Sequence, residues 1–256
     1  MSIQNQPPEK LNIFSEIRLH EFDHNGEAPV WAIADSSQQA AGVHASMFGI
    51  GAKELIVDGI TWVLVRQFFL FDEPVTVGEE FHIKTWPSAF GRASSDRDFL
   101  FTDGQGKTFG RSVTLWVVMD IETRRMTRLP QSVKEAYPFR PDSEIAFPTK
   151  KVAKMTEEKH ARQLTPRRGD VDMNGHINNA RYMEWALEAV PDEIYTNWRL
   201  HTLDISFISE CMRSDSIKSA CGDFTEDDGK LTIHHSMTEC SAGKECARIT
   251  TTWIKR

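Results

Sequence analysis

Gly106-Lys107-Thr108-Phe109-Gly110-Arg111-Ser112-Val113-Thr114-Leu115-Trp116-Val117 and Gly243-Lys244-Glu245-Cys246-Ala247-Arg248-Ile249-Thr250-Thr251-Thr252-Trp253-Ile254 share the pattern G-K-x-x-x-R-x-x-T-x-W-[VI]. The copies lie 137 positions apart, a little over half of a 256-residue chain. Moving the helical pattern near 178–190 back by the same offset lands on 41–53, where Ala40–Ile50 also reads as helix. Two matches at one offset point to a duplicated unit.

Each unit reads as a strand, a loop, one helix and a run of strands. In the first, Asn12–Phe22 alternates as a strand, and Ser36–Phe48 is a helix capped by Asp35 or Ser36. Ile60–Phe71, Glu80–Trp86, Asp96–Phe101 and Thr108–Met119 follow as strands, the last two joined by the turn Asp103-Gly104-Gln105-Gly106. In the second, Asn178–Val190 carries an apolar stripe, Met183, Ala186, Leu187 and Val190, and Pro191 stops it. Leu203–Ser209, Ser216–Phe224, Leu231–Cys240 and Glu245–Ile254 read as strands. One helix against a mostly antiparallel sheet, twice, is an α+β architecture. Pro130, Pro138, Pro141 and Pro148 punctuate the stretch between. The division is residues 1–137 as first unit, 138–157 as linker and 158–256 as second unit.

Composition narrows the function classes. Hydrophobic residues make up 40% and charged residues 26%, as in an ordinary globular protein. A net charge of −7 argues against a nucleic-acid partner held by phosphate neutralisation. Met1–Lys10 is polar with no apolar signal core, and no stretch is apolar enough to span a bilayer, so the expectation is a cytoplasmic protein without a membrane partner. Cys211, Cys221, Cys240 and Cys246 form no CxxC pair and read as reduced thiols rather than a zinc site or disulfide framework.

The chemistry concentrates in Arg167-Arg168-Gly169-Asp170-Val171-Asp172-Met173-Asn174-Gly175-His176-Ile177-Asn178-Asn179. Asp172, Asn174 and His176 place an acid, an amide and a base at alternate positions before a helix, whose N-terminus offers N–H donors and a positive dipole end. Base, amide and dipole together suit hydrolysis of an acyl bond. The plainer reading is an Asx-rich turn that caps the helix. Asp170–Gly175 also fits half of a calcium loop, but its twelfth position is Arg181, a cation, which rejects calcium. Gln105–Thr108 ends like a phosphate loop yet lacks the upstream glycine, Phe101 standing there. His234 and His235 point to opposite faces of a strand, which disfavours a shared metal. Glu210 and Cys211 close the strand that begins at Leu203, and strand parity lets only one of them face a given site. Spacing alone leaves both a Cys211 nucleophile and a Glu210-assisted water open.

The run 167–191 resembles the acyl-acyl-carrier-protein (acyl-ACP) thioesterases of plant plastids and their bacterial relatives. It is similar to their R-R-x-D-x-D-x-N-x-H-x-N-N run with the Tyr, Trp, Leu-Glu and Pro that follow, here Tyr182, Trp185, Leu187-Glu188 and Pro191. Further matches run in family order: Trp116, Asp120, Thr123-Arg124-Arg125, Ala146-Phe147-Pro148, Thr202-Leu203-Asp204, Glu210-Cys211 and Asp215-Ser216. The resemblance implies a tandem hot-dog fold, each unit a helix wrapped by an antiparallel sheet. It implies a catalytic set of Asp172, Asn174, His176 and Glu210, with Glu210 preferred over Cys211. It implies hydrolysis of acyl-ACP to free fatty acid, with no metal or organic cofactor and acyl carrier protein as partner. Arg124, Arg125 and Arg128 are one candidate docking patch for that acidic carrier. An acyl-coenzyme A thioesterase and a non-catalytic acyl-binding module are the alternatives, and a homodimer is compatible with either.

Departures are few. Gly175 replaces the Gln of plant members, which is expected to loosen the loop, and no transit peptide is visible, as expected of a bacterial member. At the 137-residue offset Asp35, Ser37 and Gln39 align with Asp172, Asn174 and His176, so the first unit lacks the base. The expectation is a silent first unit that shapes the acyl pocket.

Overall fold

The structure is a computed structural model that describes residues 6–256. Met1–Asn5, the start of both the polar N-terminal stretch and the first unit, lie outside the described residues. The chain divides into two compact units. The first holds Met1–Ala28, Ile33–Val65 and Glu73–Ala146; the second holds Pro29–Ala32, Arg66–Asp72 and Phe147–Arg256.

The first unit begins with β1 (Leu11–Ser15) and a 3-10 turn at Leu19–Glu21, so the strand expected through Phe22 is shorter. Helix α1 (Val30–Met47) starts before Asp35 and Ser36, which therefore lie inside it rather than capping it. Its buried positions Ile33, Ser37, Ala40, Ala41 and His44 follow helical spacing. A short helix α2 (Ala52–Val57), absent from the sequence reading, leads into β2 (Ile60–Phe71), found at its expected bounds. Strands β3 (Phe81–Phe90), β4 (Ser94–Asp103) and β5 (Thr108–Asp120) complete the order β1-β3-β4-β5-β2. Trp86, Phe81, Ile83, Phe99 and Phe101 fill the interior. Helix α3 (Gln131–Ala136) sits among the prolines that follow.

The second unit repeats this plan. Strand β6 (His160–Leu164) precedes helix α4 (Asn179–Leu187), which lies against β8 (Ile217–Asp227) and β9 (Lys230–Glu239). With β7 (Trp198–Phe207) and β10 (Lys244–Lys255) the order is β6-β8-β9-β10-β7, the same as in the first unit. The pairings match in detail, Leu11 opposite Thr85 in one unit and His160 opposite Cys221 in the other. This is the helix-against-antiparallel-sheet arrangement of a hot-dog unit, twice over. Helix α4 ends at Leu187, earlier than expected, and Pro191 begins a short helix α5 (Asp192–Asn197).

The repeated motif that revealed the duplication has a physical role. Trp116 Nε1–H donates to Thr114 Oγ1 at 2.8 Å, and Trp253 Nε1–H donates to Thr251 Oγ1 at 2.8 Å. A tryptophan in a sheet interior needs an acceptor for its indole N–H, and the threonine two positions earlier on the same face supplies it.

A candidate active site in the second unit

Asp172–His176 forms a tight turn between β6 and α4. Asp172 N–H donates to His176 O (2.9 Å), Gly175 N–H to Asp172 O (3.0 Å), and Asn174 N–H to Asp172 Oδ1 (2.8 Å). Gly175 has φ +82°, a left-handed conformation that glycine adopts without strain. The glycine that stands for the plant Gln therefore serves a defined turn in which a side chain would be strained. Before the turn, Asp170 is buried and its carboxylate is taken by Arg167, whose N–H lies 2.6 Å and whose guanidinium lies 3.0 Å away. After it, Asn178 caps α4 by accepting the Ala180 N–H at 2.7 Å. Arg181 N–H goes to Asn178 O. These two first-turn donors are thus engaged in the cap, and the helix dipole, rather than those N–H groups, is what the helix end offers an anion.

Glu210 and Cys211 lie beyond the end of β7, in the segment that follows Phe207. Strand parity therefore does not decide between them. Ile177 N–H donates to Cys211 O at 3.1 Å, which ties this segment to the turn. Across that tie His176 Nε2 stands 3.4 Å from Glu210 Oε2, with both side chains partly open to solvent. Asn174 extends its amide toward Asp172 Oδ2 at 3.4 Å. Asp172, Asn174, His176 and Glu210 are thereby brought into one place.

Cys211 is different. It is fully buried. Its hydrogen bond with the Cys246 thiol and its burial push its thiol far above the ordinary cysteine range. A thiol that keeps its proton and has no exposure is a poor nucleophile. The four cysteines are free, and Cys221 donates to Ala189 O at 3.0 Å with its thiol pushed up to about 12 by burial. His234 reaches Thr250 and His235 reaches Thr251, so the two rings do occupy opposite faces. Among the described residues no cluster of three His, Cys, Asp or Glu side chains could hold a metal ion. No helix of the described residues is long and apolar enough to cross a membrane. Arg124, Arg125 and Arg128 are exposed just after β5.

The first unit contains a structural copy of this site, though not where the single offset places it. Asp35, Ser37 and Gln39 belong to helix α1. The copy is Arg18-Leu19-His20-Glu21-Phe22-Asp23-His24-Asn25-Gly26-Glu27, parallel to Arg167–His176 at an offset of 149. Asp23 N–H donates to Glu27 O (3.0 Å), Gly26 N–H to Asp23 O (3.0 Å) and Asn25 N–H to Asp23 Oδ1 (2.9 Å). Arg18 N–H meets the Glu21 carboxylate at 2.7 Å, and Gly26 has φ +72°. Ala28 N–H donates to Val75 O at 2.8 Å, as Ile177 does to Cys211. Glu27 thus replaces His176, and Pro74 replaces Glu210. The signal was in the sequence, R-x-x-[DE]-x-D-x-N-G. The first unit carries about a dozen more residues between this turn and its last strand, with 18 residues in α1 against 9 in α4, so no single offset aligns both.

Both halves of the chain match known proteins. Residues 12–137 match the acyl-ACP thioesterase N-terminal domain and residues 153–255 the C-terminal domain. The chain is similar to the chloroplastic oleoyl-acyl carrier protein thioesterase of Coriandrum sativum, 29% identical over 84% of this chain and 63% of that one. It thus spans under two thirds of that relative's length. Among solved structures, an acyl-ACP thioesterase from Bacteroides thetaiotaomicron is 26% identical with a TM-score of 0.86, covering 99% of this chain and all of that one. The 12:0-ACP thioesterase of Umbellularia californica is 25% identical with a TM-score of 0.86, covering 96% of this chain and 94% of that one.

Proposed function

From membership of the acyl-ACP thioesterase family, to which this chain belongs by the match of both domains, we propose that it hydrolyses the thioester between a fatty acyl group and the phosphopantetheine arm of acyl carrier protein. The observation that carries this reading is the 3.4 Å approach of His176 and Glu210 beside the Asp172–Asn174 turn. The two side chains bind a water and take its proton as the oxygen attacks the carbonyl carbon. That proton passes to the departing sulfur, so thioester and water become a carboxylic acid and a thiol. General-base assistance of this kind is worth about 10²–10⁴-fold. Asn174 orients the carbonyl or the water, Asp172 holds Asn174, and the dipole of α4 favours the developing oxyanion. The first unit shapes the acyl pocket, having lost both His and Glu from its copy. Arg124, Arg125 and Arg128 contribute positive charge for the acidic carrier, and the reading places the protein in the cytoplasm.

The test is hydrolysis of the same acyl chain on acyl carrier protein and on coenzyme A. The proposal expects the carrier-protein substrate to have the higher kcat/KM, and a preference for coenzyme A overturns that choice of donor. Glu210→Ala is expected to lower kcat by about 10²-fold, while Cys211→Ala keeps most activity. A folded but inactive Cys211→Ala enzyme favours a covalent acyl-enzyme instead.

A further inference from the structure

The two turns provide an internal control that separates what holds the frame from what serves the chemistry. Several backbone links around Glu210 recur around Pro74. Ser209 N–H donates to Cys246 O at 3.1 Å, and Glu73 N–H to Phe109 O at 3.2 Å. Met212 N–H meets the Asp215 carboxylate at 2.7 Å, and Thr76 N–H meets the Glu79 carboxylate at 2.7 Å. Asp215 N–H returns to Met212 O at 3.1 Å, and Glu79 N–H to Thr76 O at 3.1 Å. Among the described residues, the link from the helix to the Cys211 N–H has no such counterpart. The buried Tyr182 hydroxyl oxygen accepts the Cys211 N–H at 2.9 Å. At the corresponding place in α1 stands Ile33, which has no polar atom in its side chain.

Tyr182 spans the segment that carries Glu210. Its ring packs edge-on against Phe207, the last residue of β7, with centroids 5.5 Å apart, and its hydroxyl grips the residue after Glu210. Burial pushes the phenol far above its ordinary range, so it stays a neutral hydroxyl. With Ile177 N–H holding the Cys211 carbonyl from the histidine-bearing turn, both faces of the Glu210–Cys211–Met212 backbone are fixed. In the unit that has a His–Glu pair, a hydroxyl that Ile33 cannot supply in the other unit fixes the backbone carrying the Glu.

We infer that Tyr182 is a positioning residue, which aims Glu210 at His176 through the Cys211 peptide. The inference rests on the proposed hydrolytic reading of the same site. It also explains why Cys211 stands beside the glutamate: its backbone is the handle, and its thiol is packed away.

The experiment is a double-mutant cycle in kcat on an acyl-ACP substrate, with Tm as the folding control. Tyr182→Phe keeps the ring and removes the acceptor. It is expected to lower kcat by about tenfold, the scale of a sub-ångström misplacement, with KM unchanged. In the Glu210→Ala background the same change is expected to cost nothing further, because a residue acting through Glu210 has nothing left to aim. Wild-type kcat in Tyr182→Phe, or an equal loss in both backgrounds, overturns the inference. If Glu210→Ala alone keeps full activity, the hydrolytic assignment of Glu210 has failed, and Tyr182 falls with it. If Glu210→Ala is impaired and Tyr182→Phe is not, only the positioning role fails. Should Tyr182→Phe not fold, 3-fluorotyrosine at this position preserves packing and weakens the oxygen as an acceptor. A severalfold loss of kcat supports the inference, and an unchanged kcat overturns it.

Discussion

The turn at 170–177 and the turn at 21–28 have the same backbone and different chemistry. Both use an aspartate to fold an Asx turn, an asparagine two positions on and a glycine in the left-handed region. One ends in His176 facing Glu210; the other ends in Glu27, with Pro74 in the second position. The shared hydrogen bonds are therefore the requirement of a hot-dog unit for a defined entry to its helix. The Asp and Asn signature marks the turn, and the imidazole with its carboxylate is what distinguishes the copy proposed to be active.

The sharpest way to break this comparison is to remove the differing residue on each side. His176→Ala is expected to lower kcat on an acyl-ACP substrate by about 10²–10⁴-fold, whereas Glu27→Ala changes it less than about twofold, since the proposed mechanism gives Glu27 no part in the chemistry. Steady-state rates on the two purified variants check this. A large loss in Glu27→Ala would mean that the first unit is not silent.

The units also differ in how they treat a buried arginine. In the second, Arg66 makes a bidentate pair with Asp204, at 2.9 and 2.6 Å, and donates to Thr149 O. In the first, Arg97 lies against His44 Nδ1 at 3.1 Å and Thr85 Oγ1 at 3.2 Å, and among the described residues no carboxylate pairs with it. Burial lowers its pKa to about 10. Arg66→Met strands a buried carboxylate and is expected to cost about 3–5 kcal/mol. Arg97→Met strands no charge and is expected to stay within about 1 kcal/mol of wild type or to stabilise. Denaturant unfolding of both variants measures the contrast.

A further effect concerns pH. His235 is buried in the second unit and burial lowers its pKa to about 3; His44 is lowered to about 4 by burial and then by Arg97. Both stay neutral in the fold while the unfolded chain binds protons below about pH 6.5. The unfolded state then carries more protons, so stability falls as pH drops from 6.5 and levels off near each folded value. For His235 the slope is about 1.4 kcal/mol per pH unit at most. Thermal melts between pH 7 and 4 are expected to show falling Tm, and His235→Gln is expected to flatten the slope. An identical slope in the variant removes His235 as its source.

Strand placement was legible because alternation and β-branched runs report burial on one face; β2 was found at its expected bounds. The start of α1 was not. Asp35 and Ser36 have the chemistry of caps but lie inside the helix, where the neighbouring Ser37 is satisfied by donating its hydroxyl to Ile33 O at 2.7 Å. Nor is the end of β7 legible, because Glu210 and Cys211 continue its pattern while the backbone leaves the sheet after Phe207. The copy of the site at 18–27 was written in the residues, but length differences between the two helices hid it from a single offset.

The order of residues alone determined the duplication, the helix-and-sheet plan of each unit and the polar turn before the second helix, because these are local patterns of spacing and turn chemistry. The tertiary structure decided which carboxylate meets the imidazole, which cysteine is sealed away and which hydroxyl holds the segment between them. Those outcomes depend on where chain ends of separate strands come to rest, and that is fixed by hydrogen bonds between residues about thirty positions apart.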